Sequence, residues 1–225
     1  MSIAIPRNPS LLLSTLLLAG LLTACASAPL PGMAGLPDRV ELNGVPYFRG
    51  KANHSGAMAL AALLRQQGVE ITPGLLDKPL RLPEQVDQLQ TSLARVAREY
   101  GMLVYPLEGN LRAVLTQVAA GYPVLVRYTE GTAFWAEPRY ALLVGYDRFK
   151  DSVLLRAADE RRLPMSFSTF QGKWQDAGGW AVLIQRPSQL PAEVDRQRWL
   201  AAADALAKAG QESEAARAVK TLGSR

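Results

Sequence analysis

The sequence of 225 residues holds one cysteine, Cys25, and one histidine, His54. A single cysteine excludes a disulfide within the chain and a cysteine cluster for zinc or iron. A single histidine excludes a histidine-built metal site, so no metal and no other cofactor is expected. A Ser-His-Asp triad would have to use His54. Basic residues outnumber acidic ones 25 to 20, but they are scattered, with Arg161-Arg162 the one adjacent pair. No aromatic residues interleave with a basic stripe, so no nucleic-acid partner is expected. No apolar run approaches the roughly 18 residues that read as a membrane-spanning helix. What remains is ordinary for a folded chain, with 48% hydrophobic and 20% charged residues.

The amino terminus has an order of its own. Residues 1–10 are short and polar and carry one cation, Arg7; residues 11–22 are apolar apart from Ser14, Thr15 and Gly20. Twelve helical residues span about 18 Å, short of the roughly 30 Å of a hydrocarbon core. This is the apolar part of a secretory signal. Leu22-Thr23-Ala24-Cys25 follows. It resembles the lipobox of bacterial lipoproteins, in which small residues enter a peptidase and the thiol at the cut forms a thioether to lipid. The resemblance implies lipidation of Cys25 by two or three acyl chains, palmitate among them, enough for stable anchoring. Ala26 follows, where an Asp commonly retains such proteins in the inner membrane. The expected location is therefore the periplasmic face of the outer membrane. Residues 26–39 hold Pro29, Pro31, Gly32, Gly35 and Pro37 and read as a tether.

The body begins with helices. Residues 55–67 form one, with Ser55 as a candidate cap and Gly68 as its stop. Residues 83–100 form a second, with Val86, Leu89, Leu93, Val96 and Ala97 at helical spacing. Asn110 caps a third. Strands are expected at 102–106, 124–128, 140–146, 152–156 and 180–185, with a short helix over 166–174. The strands read as a meander, which gives an α+β class with an antiparallel sheet over 40–187. Residues 188–225 read as a helical hairpin. Its Trp199-Leu200, Ala207, Gly210 and Ala215-Ala216 resemble one tetratricopeptide repeat. A lone repeat has no neighbour to bury its face. The hairpin is therefore expected to pack on the domain or to dock a partner.

Three stretches resemble the bacteriocin-processing, double-glycine cysteine peptidases, which share the papain-like fold. They are Val45-Pro46-Tyr47-Phe48, His54-Ser55-Gly56-Ala57-Met58-Ala59-Leu60-Ala61, and Arg139-Tyr140-Ala141-Leu142-Leu143-Val144-Gly145-Tyr146-Asp147. The resemblance covers about residues 40–186. It implies a nucleophilic cysteine at the head of the first helix, where the helix dipole lowers its pKa. Here that position is Ser55. The general-base histidine position is Arg139, the orienting Asp position is Ala157, and the oxyanion-hole Gln position is Gly50. Arginine stays protonated and accepts no proton. His54 adjoins Ser55 in sequence, and successive side chains at a helix start diverge.

The expected protein is thus a membrane-anchored, non-catalytic peptidase-like lipoprotein that binds a polypeptide or envelope protein. Its candidate cleft residues are His54, Ser55, Trp135, Arg139 and Tyr140. Two alternatives stand beside it: an active double-glycine peptidase using Ser55, and a structural lipoprotein acting through its hairpin.

Overall fold

Ten consecutive residues from Ser55 to Leu64 are buried, so the helix that contains them is surrounded on every side. The computed structural model describes residues 33–82, 88–132 and 135–224. The signal, Cys25 and most of the tether lie outside the described residues. Residues 33–35 form a turn in a separate amino-terminal unit, and Leu36–Arg225 is one compact unit.

The elements follow in chain order. Strand β1 is Arg39–Glu41, and a 3-10 turn, Ala52–His54, leads into helix α1, Ser55–Gln66. Helix α2 is Pro73–Leu80 and α3 is Leu89–Glu99. Strand β2, Leu103–Pro106, precedes α4, Leu111–Ala119. Strands β3 (Val124–Thr132), β4 (Trp135–Asp147), β5 (Ser152–Arg156) and β6 (Leu163–Ser166) come next. Helix α5, Phe167–Asp176, leads to β7, Ala181–Gln185, and helices α6 (Arg196–Ala207) and α7 (Glu212–Gly223) close the chain.

The local causes are readable. Asn110 accepts from the Ala113 N–H at 2.8 Å and Ser166 accepts from the Thr169 N–H at 3.1 Å, each capping the helix that follows. Helix α3 buries Leu89, Leu93, Val96 and Ala97, and exposed Arg95 and Glu99 pair one turn apart. Helix α2 adds to the expected elements, because Pro73 and Pro79 read as breakers. Pro73 instead occupies the first turn, where no N–H is needed.

Among the described residues the sheet has seven strands in the order β2-β7-β3-β4-β5-β6, with β1 paired to β4. Every pairing is antiparallel. The expected meander holds from β3 to β6 only. Strand β7 returns across the sheet and fits between β2 and β3, a non-local pairing that no local pattern signals. Strand β1 takes the edge of β4 beyond the end of β3, at residues 145–147. Gly145 is required there: a Cβ on it would lie 2.5 Å from the Val40 carbonyl oxygen.

Both faces of the sheet are covered. Tyr140, Leu142 and Val144 of β4 join Val104, Leu125, Val182 and Ile184 in one core with α1, α2 and α3. The alternate residues, including Ala141, Leu143 and Leu183, are also buried, on the side reached by α4 and α5. The hairpin of α6 and α7 joins this body. Trp199 is fully buried, lies 6.1 Å from the Tyr105 ring, and donates its indole N–H to the Ala218 carbonyl. Gln117 bonds both ways with Ala192, and the Asp195 N–H donates to the Tyr105 hydroxyl. The hairpin is therefore part of the core, and removing 191–225 would strip β2.

Candidate functional site

Helix α1 brings Ser55 against strand β4, and the contact differs from the one expected. Ser55 does not cap the helix; His54 occupies the cap position and makes no side-chain cap bond. The Ser55 hydroxyl is buried and accepts from the Tyr140 N–H at 3.1 Å. The reason lies in the sheet. The ladder between β4 and β5 runs from Leu142 to Asp147, and Ser55 takes the Tyr140 N–H just beyond its end. A buried backbone donor needs such an acceptor. Replacing Ser55 by Ala leaves that N–H bare, and a stability loss of about 1–3 kcal/mol is expected in urea unfolding. An unchanged midpoint would refute the assignment.

Ser55, Tyr140 and Ala157 line one cavity together with Tyr47, Met58 and Arg156. Its volume is about 10 Å³, room for about one water molecule. Gly50 is tied to its margin by donating to the Ala158 carbonyl at 2.8 Å. A Cβ on Gly50 would lie 2.8 Å from the Met58 sulfur, so Met58 fills the space of a longer side chain at that position. Arg156 is buried and donates to the Leu42 and Asn43 carbonyls at 3.1 Å each. Burial pushes its pKa down from the usual guanidinium value.

The remaining candidates turn elsewhere. His54 faces Asp77 of α2, with Nδ1 3.0 Å from the carboxylate. A carboxylate only accepts, so Nδ1 carries the proton and the ring is committed to Asp77. Arg139 is bracketed by Glu130 at 3.0 Å and Glu137 at 2.5 Å. Partial burial works against its charge, but the bonds to Glu137 and Glu130 outweigh this and raise its pKa. Glu137 is held below the usual carboxylate range by hydrogen bonds from Trp135 and Arg139. The Glu137 partner is legible in the sequence as a near neighbour; Glu130 is not, because it faces Glu137 only through the β3–β4 register. Trp135 is 73% exposed at the far end of that hairpin, its indole on Glu137. It lies five residues along β4 from Tyr140, about 17 Å at strand rise. Tyr140 is core and packs edge-on against Trp180 at 5.9 Å. His54, Trp135 and Arg139 are not among the residues that line the cavity at Ser55 and Tyr140. Among the described residues no cluster of histidine, cysteine or carboxylates could hold a metal.

No protein-family model and no curated protein matches this sequence. Solved structures do. A protein described as a C39-like peptidase of Bacillus anthracis superposes with a TM-score of 0.53 at 16% identity, covering 66% of this chain and 98% of that one. Xylellain, a cysteine protease from Xylella fastidiosa, superposes at 0.54 with 13% identity, over 68% of this chain and 87% of that one. The chain has the C39-like, papain-like peptidase fold. At these identities the likeness concerns architecture, and about a third of this chain lies outside each match.

Proposed function

We propose that this protein is a non-catalytic, peptidase-like lipoprotein of the cell envelope that binds a polypeptide or protein partner. The state of Ser55 carries the reading. Its oxygen accepts the Tyr140 N–H, and among the described residues no base is bonded to take its proton. A serine needs an adjacent base to act as a nucleophile at neutral pH. Arg139, at the base position of the C39-like pattern, accepts no proton and is clamped by two carboxylates. Ala157 supplies no orienting carboxylate. Gly50 has no side-chain amide for an oxyanion, its backbone N–H is held by the Ala158 carbonyl, and Met58 fills the place of a side chain.

The test uses the purified mature protein with double-glycine peptides, unfolded substrates and a serine-reactive phosphonate. The expected result is no cleavage and no label. Cleavage that disappears in Ser55→Ala, or label on Ser55, would overturn the reading.

One observation favours the hairpin over the cleft as the binding face. The cavity at Ser55 admits no extended peptide. The hairpin, by contrast, carries an open groove of about 280 Å³ lined by Leu200, Ala203, Ala207, Ala215, Ala216 and Val219. Val219 is half-exposed. Asp204, already paired with Lys208 at 2.7 Å, and Glu212 line it as well, which suits an apolar segment with a cation beside it. Capture of envelope proteins by the mature chain should fall at least tenfold in Ala216→Glu and Val219→Glu and persist in Arg139→Ala. Loss in Arg139→Ala alone would return the partner to the old cleft.

A further inference from the structure

The most exposed large apolar side chain among the described residues is Phe149, at 84%. It stands at the tip of the β4–β5 turn, in Arg148-Phe149-Lys150. The turn is built to hold it out. Asp147 accepts from the N–H groups of both Phe149 and Lys150 at 3.1 Å. Asp151 closes the turn in the left-handed region, at φ 45°, and its carbonyl takes the Phe167 N–H at 2.7 Å. At that exposure the ring is nearly uncovered and adds little to the fold.

Its position gives it a use. Arg148 donates from its backbone to the Asp38 carbonyl at 2.8 Å and from Nη1 to the Leu36 carbonyl at 2.8 Å. The same guanidinium reaches the Asp38 carboxylate at 3.1 Å. The segment that enters the folded unit is thus fastened to the residue beside Phe149. Ten residues lie between Cys25 and Leu36, at most about 40 Å of chain from one to the other. The nearby cations are largely matched by carboxylates: Arg148 by Asp38, Arg162 by Glu41, and Arg39 by Glu41 and Asp147. Lys150 has no ion pair among the described residues. Charge alone therefore draws this end weakly toward a surface, and the apolar ring must do most of the work. Arg148 is folded back on Leu36 and Asp38, its side chain 20% exposed, so the tip offers the ring and the unpaired Lys150 beside it: at the headgroup boundary of a bilayer the ring enters and the ammonium stays wet.

We propose that the Arg148-Phe149-Lys150 tip is the face this protein turns to its membrane, with Phe149 seated among the lipid headgroups. The proposal rests on the lipid anchoring at Cys25 in the reading above. Lipid and tip are then two attachments to one membrane.

The experiment takes the full mature chain with Phe149→Cys, and separately Lys150→Cys, labelled with a polarity-sensitive thiol dye. Leu75→Cys and Val219→Cys, exposed elsewhere, are the comparison sites. The unsubstituted chain, labelled in parallel, reports any dye on Cys25. Each is placed in phosphatidylethanolamine–phosphatidylglycerol vesicles carrying a nitroxide-labelled lipid. Dye at 149 and 150 should be quenched at least threefold more than dye at 75 and 219, and its emission should shift to the blue. Equal quenching at all four sites overturns the proposal. Mass spectrometry of the amino-terminal peptide checks the anchor separately. An unacylated Cys25 sinks the anchoring alone, and quenching at 149 by added vesicles then still decides the tip, its absence overturning it.

Discussion

Trp199→Ala is expected to lower unfolding stability by about 3–5 kcal/mol, the range for deleting a buried aromatic side chain. The indole is fully buried, faces the Tyr105 ring of β2, and ties α6 to α7 through the Ala218 carbonyl. Its loss opens the seam between hairpin and sheet as well as the contact between α6 and α7. Two consequences separate this from a local defect. Protease should cut 191–225 early, and amide exchange should rise in β2 as well as in α6 and α7. A drop below about 1 kcal/mol, or exchange confined to the hairpin, would show that the hairpin folds independently of the sheet. Partner binding through the groove should fail with it, so binding studies need the exposed variants Ala216→Glu and Val219→Glu instead.

The second large effect is alkaline. Burial pushes the Tyr140 phenol up to about 12 and Tyr128 still higher, where burial comes first and the nearby Glu130 adds to it. In the unfolded chain both release their protons near pH 10. A group whose folded pKa is raised contributes stability that is complete below the unfolded pKa. That contribution is withdrawn as pH climbs, because the unfolded chain sheds the proton first. Stability should therefore be flat up to about pH 9.5 and fall between about pH 10 and 12. Two units correspond to about 2–3 kcal/mol for Tyr140 alone. Tyr140→Phe and Tyr128→Phe should each flatten the fall without lowering neutral stability by more than about 1 kcal/mol. A curve unaltered by both changes would refute the cause. Tyr140→Ala would be a poor probe of ligand binding, because it removes a core ring.

The chemistry of the site is partly legible in the residues themselves. That arginine accepts no proton, and that alanine and glycine bring no carboxylate or side-chain amide, follows from residue type; that positions 139, 157 and 50 are the matching ones is what the resemblance implies. The role of Ser55 is not legible in this way. A serine at a helix start reads as a cap, because capping is a local interaction within three residues. The actual partner, the Tyr140 N–H, is 85 residues away and is available only because the β4–β5 ladder stops at Leu142. His54 likewise carries no sign of Asp77, since α2 is hidden behind two prolines.

Sequence alone determined the α+β class, the helix capped by Asn110, the short helix that starts near Ser166, the central run 140–146, and the scarcity of thiol and imidazole. These depend on residue type and on spacing over a few positions, where sterics and local hydrogen bonds decide. Tertiary structure alone decided that β7 lies between β2 and β3, that the hairpin joins the core through Trp199, and that Met58 fills the space beside Gly50. It also placed Phe149 beside the start of the folded unit. Each of these sets residues together that are far apart in the chain, and their packing follows from which surfaces fit once the helices and strands have formed.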